Sequence, residues 1–113
     1  MATSKTYKRN DTGPPITIQC LDGTNPQNLT TATSAKFLMG TIDAGGVSTQ
    51  KVSQAMTFDS DRTTGKVTYD WQTGDLDTPG DYKAEVEITW SGGDIQTFPS
   101  EGYLTITVVA DVG

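Results

Sequence analysis

A chain of 113 residues, 34% of them hydrophobic, is one domain with room for a single core. It has no histidine and one cysteine, which excludes an internal disulfide, a multi-cysteine metal site and the commonest proton shuttle. The net charge of −6 is segregated: residues 1–10 hold Lys5, Lys8 and Arg9 with no acid (+3), and the rest holds five basic and fourteen acidic residues (−9). A body this acidic does not suit nucleic acid, whose binding rests on neutralising phosphates.

Residues 1–15 read as an extended N-terminal arm. Asn10, Asp11, Thr12, Gly13, Pro14 and Pro15 are turn formers, and the prolines forbid helix. No apolar signal segment opens the chain, and no run approaches the ~20 apolar residues that a membrane span needs, so neither export nor membrane insertion is expected.

Residues 16–20 (Ile-Thr-Ile-Gln-Cys) alternate and predict a strand, closed by the turn Asp22-Gly23. Residues 27–33 are polar around Leu29 and read as a loop or short edge strand. Residues 35–40 predict a strand with Phe37 and Met39 on one face and Leu38 on the other. After Asp43-Ala44-Gly45-Gly46, residues 47–52 read as a weak edge strand and residues 55–58 as a short one. Residues 59–65 form a polar loop.

Residues 66–71 alternate again, with Val67, Tyr69 and Trp71 inward, and residues 72–79 read as a connection. The clearest signal is residues 82–90. There Tyr82, Ala84, Val86, Ile88 and Trp90 alternate with Lys83, Glu85, Glu87 and Thr89, giving one buried and one wet face. Gly92-Gly93 then permits a hairpin turn, with residues 95–98 returning as its partner strand. Residues 99–102 break the pairing, a place where a strand commonly moves to another sheet. Residues 103–109 predict the last strand, with Leu104, Ile106 and Val108 inward.

Seven to eight short strands at regular spacing predict an all-β, immunoglobulin-like antiparallel β-sandwich over residues 16–113. Pro79-Gly80-Asp81-Tyr82-Lys83-Ala84 fits the tyrosine-corner pattern, with Ala84 where the second cysteine of such domains would stand and Cys20 where the first would stand. The sandwich therefore has no disulfide. Cys20 is expected as a buried free thiol facing Ala84, within a core of Phe37, Tyr69, Trp71, Tyr82, Trp90 and Phe98.

Chemistry is sparse. Cys20 lacks the base or positive neighbourhood a nucleophilic thiol needs. Asp59/Asp61 and Asp75/Asp77 are spaced like calcium-loop ligands, but neither loop supplies the further oxygen ligand and glycine of that motif. The carboxylates suggest no glycosidase pair, and no glycine-rich phosphate loop is present. Asn10 and Asn28 fit the glycosylation triplet but follow no export signal. Trp71 and Trp90 could stack on sugar, yet both lie on the inward parity of their strands. No catalytic residue, cofactor site or metal site is expected.

Two passages carry a family resemblance: Tyr7-Lys-Arg-Asn-Asp-Thr-Gly-Pro-Pro-Ile16, and the stretch from Gly80 through Phe98-Pro-Ser-Glu-Gly-Tyr103 to Val108. They resemble the small immunoglobulin-like domain of tailed-phage virion proteins, including the N-terminal domain of phage baseplate upper proteins. Leu21-Asp-Gly23 and residues 35–39 fit the same template. The resemblance implies a non-enzymatic virion structural protein, made in the host cytoplasm, that docks onto other virion proteins in a symmetric assembly. Baseplate upper proteins continue into a long C-terminal region whereas this sequence stops at Gly113, so tail, baseplate, neck and capsid surface are all open as locations. The expected assembly arm is Tyr7, Lys8, Arg9, Pro14, Pro15 and Ile16, its positive charge lying on an acidic neighbour. A carbohydrate- or host-surface-binding module, taking a host-surface glycan, is the alternative.

Overall fold

A computed structural model of the chain describes residues 4–99 and 102–112. Its strands in chain order are β1 (Ser4–Lys8), β2 (Ile16–Gln19), β3 (Leu21–Asp22), β4 (Asn25–Pro26), β5 (Ala32–Ile42), β6 (Ser48–Ala55), β7 (Thr57–Phe58), β8 (Lys66–Tyr69), β9 (Gly80–Trp90), β10 (Ile95–Phe98) and β11 (Leu104–Val109). A 3-10 turn, Arg62–Thr64, precedes β8; Asp61 caps it by accepting from the Thr63 amide. The domain is an all-β sandwich. One sheet has six strands, ordered β1-β11-β9-β5-β6 with β10 also on β9; β2-β8-β7 form a second sheet, and β3-β4 a small hairpin.

β9 organises the large sheet. Along one edge it pairs with β5, from Ala32↔Trp90 to Gly40↔Lys83. Along the other its first half pairs with β11 (Leu104↔Ala84) and its second half with β10 (Phe98↔Val86). The interruption near residue 99 therefore does not move the chain between sheets. β10 and β11 stay on the same strand, because the apolar alternation of β9 continues through both halves and needs a partner along its whole length. Ser100 and Glu101, part of the expected break, lie outside the described residues.

Inward residues of both sheets form one core. Phe37, Val67, Val86, Ile88 and Ile106 are fully buried, and Met39, Val52, Leu104 and Val108 nearly so. Leu29 and Leu76 also belong to it, at 0% and 1% exposure, although both stand in stretches that read as connections. Leu29 is fixed by its amide, which donates to the Arg62 carbonyl (2.9 Å), while the Arg62 guanidinium donates to the Ala32 carbonyl (2.8 Å). Trp90 is only half-buried. It ends β9, where the turn begins, and its indole N–H needs a polar partner, which Gln96 Oε1 supplies at 3.2 Å.

The N-terminal segment is extended but not free. β1 runs parallel to β11 in the register Tyr7↔Val108 and Lys8↔Val109. Tyr7 meets the Trp71 ring edge-on at 5.1 Å, and Trp71 in turn contacts Phe37 and Tyr69 at 5.5 and 5.3 Å. Met1–Thr3 lie outside the described residues. Tyr7→Ala removes a half-buried ring and one aromatic pair, so it is expected to destabilise the domain by about 1–2 kcal/mol. Urea denaturation followed by tryptophan fluorescence checks this; an unchanged midpoint means that β1 contributes nothing to the core.

Candidate functional site

The segment expected to dock elsewhere is largely committed to its own domain. Ile16 is 2% exposed and faces the core from β2. Arg9 donates from Nε and Nη2 to Asp111 Oδ1 at 3.0 and 2.7 Å, and its amide donates to the Val109 carbonyl. The Asn10 amide donates to the Leu76 carbonyl (2.8 Å), and Asp11 accepts from the Lys8 amide (3.0 Å). What this segment offers to solvent is the side chains of Lys5, Lys8, Pro14 and Pro15.

The paired acids are likewise occupied by local structure. Asp59 accepts from the Thr64 hydroxyl and Asp61 from Thr63; the Thr63 bonds hold the Asp61 carboxyl below its ordinary range. Asp75 accepts from the Tyr69 hydroxyl and the Gln72 amide; burial, and then the hydrogen bond to Asp75, raise the Tyr69 phenol. Asp77 pairs with Lys51. That contact depends on a β-bulge. Met39 pairs with Val52 but Gly40 with Gln50, leaving Lys51 as the extra residue and turning it toward Asp77. The hydrogen bond to Lys51 depresses the Asp77 carboxyl and raises the lysine. Gly40 is obligatory there, because a Cβ would stand 2.3 Å from the Thr49 carbonyl oxygen.

The core positions named from sequence can be placed one by one. Cys20 is 1% exposed and its thiol is pushed up to about 12 by desolvation, so it is inert as a nucleophile. Phe37 stacks on Tyr69 at 4.8 Å, and Trp71, Ala84 and Phe98 are buried. Tyr82 is buried with its hydroxyl donating to the Thr78 carbonyl at 2.7 Å.

The feature that sequence reading missed is on the outer face of the large sheet. There Leu38, Gly40 and Ile42 of β5, Lys83 and Glu85 of β9, and Tyr103 line a groove of about 160 Å³. β5 leaves β9 after Gly40, so residues 41–49 overhang the sheet as a hairpin and form one wall; Tyr103 lies on the groove's lining, just before β11. Ile42 and Tyr103 are 38% and 40% exposed, large apolar groups without cover. Glu85 lies directly across from Leu38 and is half-buried. Burial, and then the neighbouring Glu87 charge, push its carboxyl up. The two ion pairs among the described residues are Arg9–Asp111 and Lys51–Asp77, so Glu85 has no cationic partner among them. The alternation of β9 marked Glu85 as outward, but nothing in sequence showed that the pleat beside it would be partly closed.

Tyr82→Phe deletes one buried hydrogen bond and leaves the Thr78 carbonyl short of a donor, at an expected cost of about 0.5–1.5 kcal/mol. A melting temperature equal to wild type rejects that bond as structural. For Glu85, the folded chain holds its proton more tightly than the unfolded chain, so it contributes stability below the ordinary glutamate value of 4.5 that is lost as pH rises through the higher folded value. Glu85→Gln should therefore raise the melting temperature at pH 7 and leave it unchanged at pH 3. Equal shifts at both pH values rule out the charge as the cause.

In overall shape the domain is similar to the crystal structure of CopC from Methylosinus trichosporium OB3b, with a TM-score of 0.51 and 12% sequence identity over 99% of this chain and 89% of that chain. At that identity the likeness is one of fold alone. No curated protein matches the chain in sequence. The model of the BppU N-terminal domain matches residues 5–111, from β1 through the end of β11 to Asp111. The match spans nearly every element described above, so the chain belongs to the family of the N-terminal domain of phage baseplate upper proteins and is a phage baseplate-associated structural protein.

Proposed function

We propose that this domain is a protein–protein docking module that holds a virion component in a symmetric baseplate assembly. The observation that carries the reading is the family match over residues 5–111, which spans the sandwich. The side-chain inventory agrees. The buried thiol is protonated, the paired carboxylates are engaged in capping and turn hydrogen bonds, and no group of three or more metal-ligating residues is gathered among the described residues. Such a domain acts through the shape and charge of its surface.

One observation favours a second reading, a glycan-binding accessory module. Gln54, Thr57, Thr68, Asp70 and Gln72 line a polar cleft of about 330 Å³ beside β7, with the amides, hydroxyls and carboxylate that sugar hydroxyls pair with. Against it, Trp71 is buried, so the two tryptophans do not form a stacking platform.

The test is quantitative mass spectrometry of purified particles together with glycan-array binding of the isolated domain. Docking predicts a copy number that is a multiple of the baseplate symmetry and no glycan signal. Absence from particles rejects the docking reading, and glycan binding that Asp70→Ala abolishes supports the second one.

A further inference from the structure

The large sheet's outer face combines three properties that a merely solvated surface does not need. It has a concave pleat walled by an overhanging hairpin, apolar groups lining it without cover, and a carboxylate seated half-buried among them without a counter-charge. Leu38 and Glu85 are directly opposed across β5 and β9, so an entering side chain meets hydrocarbon and carboxylate together. Lysine and arginine have that composition, an aliphatic stem ending in a cation. The surrounding charge is mixed but acidic on balance: Glu87 lies two residues along the same face with Lys36 across from it, Asp81 precedes on the same strand, and the domain as a whole carries −6. Lys83 also lines the groove, but its side chain is exposed to solvent and takes part in neither ion pair.

We propose that this groove is a docking site for an extended segment of another virion protein, with a lysine or arginine set on Glu85 and flanking apolar side chains against Leu38, Ile42 and Tyr103. The inference rests on the docking reading and locates the contact on the sheet face. The sheet face is chosen over the N-terminal segment because Arg9, Tyr7 and Ile16 of that segment already have partners within the domain, although Lys5, Lys8, Pro14 and Pro15 stay exposed. Charge complementarity chooses the occupant: an acidic segment would add a third carboxylate beside Glu85 and Glu87, and a purely apolar one would leave Glu85 further desolvated without a partner.

The experiment titrates the labelled domain with the capped peptides GTLKLTG and GTLELTG, following backbone amide resonances of Gly40, Lys83 and Tyr103. The lysine peptide is expected to shift them saturably and the glutamate peptide to leave them in place. Glu85→Gln, which keeps the side chain's shape, should weaken the lysine peptide about tenfold, the loss of one charge-assisted contact. Equal binding of the two peptides, no shift at the groove, or an unaffected Glu85→Gln variant overturns the proposal. Self-association of the domain that Glu85→Gln abolishes overturns the choice of partner in favour of a second copy. The readings fail separately. Wild-type chain missing from purified particles rejects the docking role, whereas Glu85→Gln chain incorporated at wild-type copy number rejects only this groove.

Discussion

The structure depends on the stacking of four aromatic rings drawn from distant parts of the chain. Tyr7 of β1, Phe37 of β5, Tyr69 of β8 and Trp71 just beyond it meet at centroid distances of 4.8 to 5.5 Å. Phe37 belongs to one sheet and Tyr69 to the other, so their stacked contact is a direct bond between the layers. Trp71 makes T-shaped contacts with three rings at once, and its indole N–H is buried without a hydrogen-bond partner among the described residues. The dispersion and quadrupole gain of those contacts offsets that orphaned donor. Through Tyr7 the same cluster reaches the first strand, which explains why a segment with one aromatic residue is held at the edge of the sheet at all.

That arrangement changes how the segregated charge should be understood. A +3 segment and a −9 body in one chain suggest a cationic arm seeking an acidic neighbour. The fold answers one of those three positive charges internally. Parallel pairing places Lys8 beside Val109, and Arg9 then stands where its guanidinium meets Asp111. The pair is partly exposed, so its contribution to stability is modest. Its effect is geometric, fixing the two ends of the domain side by side. With this cation engaged, the acidity of the remaining surface is the stronger electrostatic feature, and it includes the outer face of β9.

How far the fold could be read from sequence followed the range of the interactions involved. The alternation of residues 82–90 needs only local information, and β9 runs Gly80–Trp90 as that pattern requires. Phe37 and Met39 opposite Leu38 were equally legible on β5. β1 was not, because Ser-Lys-Thr-Tyr-Lys has one apolar side chain and no alternation, and its partner strand lies about a hundred residues away. Leu29 and Leu76 escaped for a related reason. A single leucine in a polar stretch has no period, and what buries it is a tertiary contact: the 3-10 turn at Arg62 for one, the Asn10 amide at its carbonyl for the other. Trp90 shows the converse error, since parity along a strand says nothing about whether the opposing sheet still covers its last residue. The groove was invisible because it needs a bulge at Lys51, an obligatory glycine at 40 and the position of Tyr103, three features from three strands' ends.

A domain that satisfied every group internally would have nothing left with which to recognise a partner. In this one the Trp71 N–H is the unpartnered group between the sheets among the described residues, and Glu85 stands without an ion pair on the outer face. Between the sheets, hydroxyls of buried tyrosines have partners and the thiol is neutral. On the outer face, at Glu85, burial has been accepted without a counter-charge, although the opposite residue is a leucine and the next acid is like-charged. Isolated, that site is an electrostatic liability, and a neutral amide would serve the sheet better. The same reasoning distinguishes Glu85 from Glu87, which lies opposite Lys36 on β5 and so has a positive neighbour across the strand pair. The contrast between two glutamates two residues apart, one facing a lysine and one facing a leucine, is the ground for placing the proposed contact at Glu85.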